Sequence, residues 1–237
     1  MRVIAHLRAR ADTVYDSTYH HKLRGRIWNA LEGTDYDKMH DENRPKGFAY
    51  SNPFPPEDMR EGDERTLLVA SPHEELLANV AASLKENREL NIGEMPFHVD
   101  SVNGLAVDVG EPGTSGTIET GTGVLVRIPP WRFEEYGIDT DHKEAEFWRP
   151  QHKHDLFCPD YLPGPSEVDG DLFDGADLIK TFSIPVTVTQ GQRETWVLSK
   201  WRFDYTVRDD HHRRHLNLAL DTGIGERNSL GFGFVNI

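Results

Sequence analysis

Apolar and polar residues alternate at the start of the chain. Val3, Ala5, Leu7 and Ala9 interleave with Arg2, Ile4, Arg8 and Arg10, an imperfect period of two that predicts a strand over residues 3–10. Leu23, Ile27 and Leu31 then repeat every four residues, which predicts a helix over Tyr19–Leu31 with Gly33 as its stop. Gly47–Ser51 reads as a short strand closed by Pro53, Pro55 and Pro56, and Thr66–Ala70 as another. Ser71-Pro72-His73-Glu74 has the N-cap, N1 and N3 residues of a helix start, and Leu76, Leu77, Val80, Ala81 and Leu84 carry that helix onward. Phe97–Val109 supplies a last strand or hairpin. Strand, helix, strand, strand, helix, strand is the split βαβ order of a ferredoxin-like, or RRM-like, unit, and it fills residues 1–112.

Glu111-Pro112-Gly113-Thr114-Ser115-Gly116 has linker composition and places a domain boundary at 112/113. Beyond it, Thr117–Ile128, Phe182–Thr189 and Thr195–Val207 read as strands, Asp210–Leu220 as a helix and Phe232–Ile237 as a final short strand. Residues 129–180 are rich in Pro, Gly, Asp and aromatics, and only Lys143–Trp148 suggests a short helix. The expectation is an α+β protein of tandem ferredoxin-like βαββαβ domains, 1–112 and 113–237, the second degraded and carrying a long irregular insertion.

Composition changes this picture by what it excludes. No apolar run approaches the roughly 18 residues of a membrane span, and the arginine-bearing N-terminus lacks the apolar core of a signal peptide. One cysteine, Cys158, makes neither a disulfide framework nor a thiolate zinc cluster, and fits a reducing cytoplasm. The net charge of −14 argues at first against a nucleic-acid partner. Its distribution says otherwise. Residues 1–34 hold 6 Lys+Arg against 3 Asp+Glu, residues 200–237 hold 6 against 5, and the middle holds 14 against 32. Arginine outnumbers lysine 18 to 8 and the acids are dispersed, a composition that resembles proteins of salt-accumulating halophiles.

Four glycines, an Arg, an Asn and a Ser crowd the eleven residues Gly223-Ile224-Gly225-Glu226-Arg227-Asn228-Ser229-Leu230-Gly231-Phe232-Gly233. Glycines permit positive φ and close backbone approach to phosphate oxygens; a glycine-rich hairpin before an edge strand would look the same. A dinucleotide-binding fingerprint is excluded, because Asn228 stands where its third glycine belongs and too little chain follows. The spacing resembles the C-terminal glycine-rich loop of the RAMP superfamily, the RNA-binding proteins of CRISPR systems. Within it, the run is similar to the endoribonuclease family that cuts the CRISPR repeat transcript into guide RNAs, the sixth-numbered CRISPR-associated family. Tandem ferredoxin-like domains are implied by that resemblance as well.

The resemblance also directs attention to His40-Asp41-Glu42-Asn43-Arg44-Pro45-Lys46-Gly47-Phe48-Ala49-Tyr50-Ser51, which matches the family's His, Lys and following strand. It implies metal-independent cleavage with no cofactor. RNA carries its own nucleophile, the 2′-OH; His40 would take its proton. Lys46 would face the charge that builds on the scissile phosphate. The products would be a 2′,3′-cyclic phosphate and a 5′-hydroxyl. Trp28 replaces a tyrosine that contributes in some members, so the leaving-group acid is unassigned; Tyr19, His20, His21 and Tyr36 are the stand-ins. The competing expectation is an RNA-binding subunit of a CRISPR effector complex that does not cut. For RNA contacts the resemblance implies Arg24, Arg26, Gly223, Gly225, Arg227, Asn228, Ser229, Gly231 and Gly233.

Other clusters carry weaker signals. His211-His212-Arg213-Arg214-His215 has i, i+4 histidines suited to a metal or to an RNA-facing surface, and His152-Lys153-His154 with Cys158 hints at zinc. Trp201, Phe203 and Tyr205 alternate, which predicts one core face ahead of a base-stacking platform. In a cell near molar salt the counterion term of RNA binding is largely lost, so recognition is expected to persist at high salt.

Overall fold

The computed structural model describes residues 1–40, 46–126, 168–187 and 193–237. The alternation at the N-terminus forms β1 (Arg2–Ala9), with Val3, Ala5, Leu7 and Ala9 buried. It runs antiparallel to β3 (Glu64–Ala70) on one side and to β5 (Met95–Leu105) on the other. β2 (Ala49–Tyr50) extends the β3 edge, and β4 (Glu89–Ile92) hairpins onto β5, so the sheet order is β2-β3-β1-β5-β4. Two helices cover one face. α1 (His20–Leu31) buries the predicted Leu23, Ile27 and Leu31 together with His20 and Trp28, while α2 (Glu74–Glu86) buries Leu76, Leu77, Val80 and Leu84. Each such aliphatic burial contributes about 2 kcal/mol. Apart from the added edge strand β4, this is the 2-3-1-4 strand order of a βαββαβ unit.

The second sheet repeats that order. β6 (Ser115–Thr120), β7 (Gly175–Thr187), β8 (Arg193–Thr206) and β9 (Val235–Asn236) are arranged β7-β8-β6-β9, with α3 (Asp210–Thr222) between β8 and β9. Trp201, Phe203 and Tyr205 are buried with Leu216, Ala219 and Leu220 of α3, as their alternation predicts. The tandem ferredoxin-like architecture expected from the element order is therefore present.

Two local expectations change, and others lie outside the described residues. The irregular insertion was expected to reach 180, but Leu172 and Phe173 are core residues and β7 begins at Gly175. Pairing with β8 imposes strand geometry that the polar run Asp174-Gly175-Ala176-Asp177 conceals. The short helix expected at Lys143–Trp148 and the His152, His154, Cys158 group lie outside the described residues. Ser71 does not cap α2 directly, since the helix starts at Glu74. Its hydroxyl instead accepts from His73 N–H at 3.1 Å and donates to the Gly47 carbonyl at 2.7 Å.

The two sheets are joined through Arg2. Its buried guanidinium donates to the carbonyls of Leu220 and Val235 at 3.1 and 2.6 Å and to the Asn236 side chain at 2.6 Å, and it lies 4.9 Å from the Phe234 ring centroid. Phe234 in turn packs on Ala49 and Ala70 of the first sheet.

Candidate active site

The glycine loop leaves α3 at Gly223 and returns through a 3-10 turn, Asn228–Leu230, to β9. Gly223, Gly225, Gly231 and Gly233 all have positive φ and all are buried. A side chain at Gly233 would enter the Ile224 carbonyl, and one at Gly231 would enter the ring of Tyr50. Six loop amides, those of Gly223, Ile224, Glu226, Leu230, Gly231 and Gly233, already donate within the protein, and Asn228 Nδ2 donates to the carbonyls of Ile224 and Phe232. The close approach that these glycines permit is to the protein itself. Arg227 is the exposed residue of the loop, held at φ 58°, with Ser229 half-exposed beside it.

The loop is seated on α1 and β2. Tyr50 Oη donates to the His20 carbonyl at 2.8 Å, and His20 Nδ1 lies 2.8 Å from the Leu230 carbonyl, which fixes the proton on that nitrogen. The imidazole stacks between Tyr19 and Phe232, with ring centroids 4.2 and 4.7 Å away. Burial pushes the His20 pKa down to about 4, against the opposing effect of the Leu230 bond. Burial likewise raises Tyr19 well above the usual phenol value. Both residues are built into the loop's seat. Of the other stand-ins, His21 is exposed, and Tyr36 is half-exposed with its ring tilted against His73 at 5.6 Å.

His20, Arg24 and Trp28 follow one another at four-residue spacing, so they form a stripe along α1 beside the Leu23, Ile27, Leu31 stripe. Arg24 is half-buried and electrostatically coupled to Tyr50 and to Arg227. Burial lowers its pKa, Tyr50 raises it and Arg227 lowers it, and its Nε is buried with no hydrogen-bond partner among the described residues. Arg26 does not share this place: two residues on, the helix has turned about 200°, and its guanidinium donates to the Ser83 carbonyl of α2 at 3.2 Å. Lys22 is paired with Glu94.

The stripe ends at His40. The Trp28 indole meets the His40 ring edge to face at 5.0 Å and Phe48 at 5.4 Å. His40 closes the 3-10 turn Asp37–His40 and is exposed. Lys46 Nζ donates to the carbonyls of Met39 and His40, so the lysine holds the turn that carries the histidine. The structure therefore brings His40, Lys46 and Trp28 together, with Arg24 one helical turn before Trp28 on α1. Tyr50, Ser71 and the packing role of Trp28 were not identified from sequence. The i, i+4, i+8 spacing of His20, Arg24 and Trp28 was the available signal.

The α3 histidines do not form the RNA-facing cluster expected of them. His212 and His215 are buried against the second sheet, with His212 Nε2 2.9 Å from the Leu172 carbonyl and His215 Nδ1 3.0 Å from that of His211, while Arg213 pairs with Asp108. Helical period turns both rings inward, a consequence the local run of basic residues hides. No group of three or more His, Cys, Asp or Glu suited to a metal occurs among the described residues.

Two ferredoxin-like sheets with a C-terminal glycine loop seated on the first helix are the arrangement that the resemblance to the RAMP superfamily implies. Comparison with known proteins narrows the class. The family model described as CRISPR associated protein Cas6, C-terminal, matches residues 117–237. The CRISPR-associated endoribonuclease Cas6 of Haloferax mediterranei is 55% identical over an alignment covering 100% of this chain and 93% of that relative. Among solved structures, the product of a Cas6-related gene from Pyrococcus furiosus has a TM-score of 0.70 at 19% identity, over 100% of this chain and 98% of that one. A RAMP protein binding different RNA substrates has a TM-score of 0.69 at 18% identity and the same coverage. The chain belongs to the Cas6 family. Its acidic, arginine-rich composition fits a relative from Haloferax. No helix among the described residues is long and apolar enough to cross a membrane.

Proposed function

We propose that this chain is a metal-independent endoribonuclease that binds CRISPR repeat transcripts and cuts them into guide RNAs. The observation that carries the proposal is the α1 stripe, which sets Trp28 against His40 at one end and, at the other, Arg24 within the electrostatic reach of Arg227. Two guanidiniums close enough to repel each other suit a phosphate group, which relieves both. His40 takes the proton of the RNA 2′-OH. The 2′-oxygen then attacks the adjacent phosphorus, the bond to the 5′-oxygen breaks, and a 2′,3′-cyclic phosphate and a 5′-hydroxyl result. Lys46 supports this by fixing the His40 turn and by placing a cation next to it. The leaving oxygen needs a proton from a donor other than Trp28, because an indole N–H is not an acid at physiological pH.

Arg24, Arg227, Asn228 and Ser229 form the RNA contact in this reading, with the loop glycines as its scaffold. Residues 1–112 and 113–237 act as two domains in this reading, supported by two hydrophobic cores, although Val107 and Val109 pack with the second. The protein works in the cytoplasm and passes its product to CRISPR effector proteins. Incubation with repeat RNA in excess chelator tests the mechanism. Cleavage leaving a cyclic phosphate is expected, with a loss of roughly a hundredfold or more in His40→Ala. Intact RNA with the wild-type protein would favour a binding subunit that does not cut.

A further inference from the structure

The β7–β8 hairpin sets Lys180 directly opposite Lys200. A register shift between Leu178 and Lys180 leaves Ile179 bulged and exposed, and brings Lys180 into this alignment. Residues opposed in this way share one face of the sheet, with Cβ atoms about 5 Å apart, and like charges there destabilise the pair. The same face pairs its charges favourably only a step away. Arg202 stands opposite Asp177 on one side and Glu119 on the other, and its Nε donates to Glu119 at 2.8 Å. Glu119 is also the carboxylate whose charge acts on Lys200, and it is already engaged by Arg202. Lys200 is half-buried, and both that burial and the charge of Lys180 lower its pKa.

The pair borders the glycine loop. Lys200 Nζ donates at 3.0 Å to the carbonyl of Gly121, whose own N–H is bonded to Phe234 just past the loop. Lys180 Nζ lies 5.5 Å from the centroid of Phe182, which packs against the cluster holding Leu230 and Phe232. A pair of ammonium groups in this place is disfavoured in the free protein and favoured by an anion between them. We infer that Lys180 and Lys200 together bind a backbone phosphate of an RNA strand that leaves the glycine loop and crosses the β7–β8 hairpin. This rests on the RNA-binding function proposed above, and extends its contact surface by one site.

The test is fluorescence anisotropy with labelled repeat RNA at several KCl concentrations, down to the lowest at which the protein stays folded. Lys180→Gln/Lys200→Gln is expected to weaken binding roughly tenfold at the low-salt end. The slope of log affinity against log salt should fall by about 0.7 for a single-strand phosphate contact. Lys180→Arg/Lys200→Arg is expected to retain both. The Tm of Lys180→Gln is expected to hold or rise, since a repulsion is removed; a lower Tm would assign the side chain a structural role and overturn the inference. An unchanged affinity and slope in the double Gln variant, with binding lost in Arg227→Ala, would overturn this site alone. Failure of the wild-type protein to bind repeat RNA would overturn the proposed function and this site with it.

Discussion

His20 shows how far a residue's surroundings can set its role. A histidine beside an expected catalytic segment reads as a candidate acid or base, and its sequence neighbours Tyr19 and His21 do nothing to contradict that. Burial between two aromatic rings holds it neutral instead, with a pKa of about 4 against an ordinary 6.5. Between those values the unfolded chain binds a proton that the folded chain does not. The associated stability is complete above pH 6.5 and declines as the pH falls toward 4, by up to about 3 kcal/mol. His20→Gln, which keeps a donor for the Leu230 carbonyl, is expected to flatten that part of the acid limb in denaturant unfolding followed from pH 7 to 4. Superimposable limbs for the two proteins would count against the assignment. His40 carries the opposite lesson. Its sequence position was legible through the family pattern, but the indole that fixes its ring lies twelve residues upstream and is visible only once α1 is folded.

At the scale of elements, the spacing of the four loop glycines was legible and their purpose was not. Positive φ can serve a ligand or serve the chain, and only the positions of the Ile224 carbonyl and the Tyr50 ring distinguish the two. The loop also contains a residue that breaks its own rule, since Arg227 keeps a left-handed backbone without being glycine. That conformation costs on the order of 1 kcal/mol for an L side chain. Arg227→Gly is therefore expected to stabilise the fold by about that amount while weakening the affinity for repeat RNA. Gly231→Ala, whose Cβ would enter the Tyr50 ring, is expected to destabilise by about 2 kcal/mol or more. Thermal melts paired with binding measurements separate the two cases; a stabilised Arg227→Gly with undiminished affinity would remove the arginine from the interface. The three described helices were read from period and end signals to within a few residues. The start of β7 was missed because its first residues are polar, and their strand geometry comes from pairing with β8.

For the whole molecule, the repeated strand order of the two sheets was legible in the first half and only faintly in the second, where fewer elements are marked by strong periodicity. Neither the Arg2 clamp nor the seating of Phe234 on Ala49 and Ala70 has any local sequence signature, because each joins residues from opposite ends of the chain. The net charge of −14 bears on how the assembled surface meets RNA. Near molar salt the Debye length is about 3 Å, so attraction over longer distances is lost and direct contacts remain. Affinity for repeat RNA is accordingly expected to level off toward molar KCl; a continued steep fall through that range would show that long-range attraction still dominates. One contact in this assembly has a separate effect. Because Gly231 rests on the Tyr50 ring, and Tyr50 follows Lys46 by four residues, the glycine loop is tied by a short path to the turn that carries His40. In the function proposed above this makes the molecule a gauge: an RNA held at Arg227 offers His40 whichever phosphodiester lies a fixed span away, so the place of cutting is set by distance along the strand more than by the bases found there.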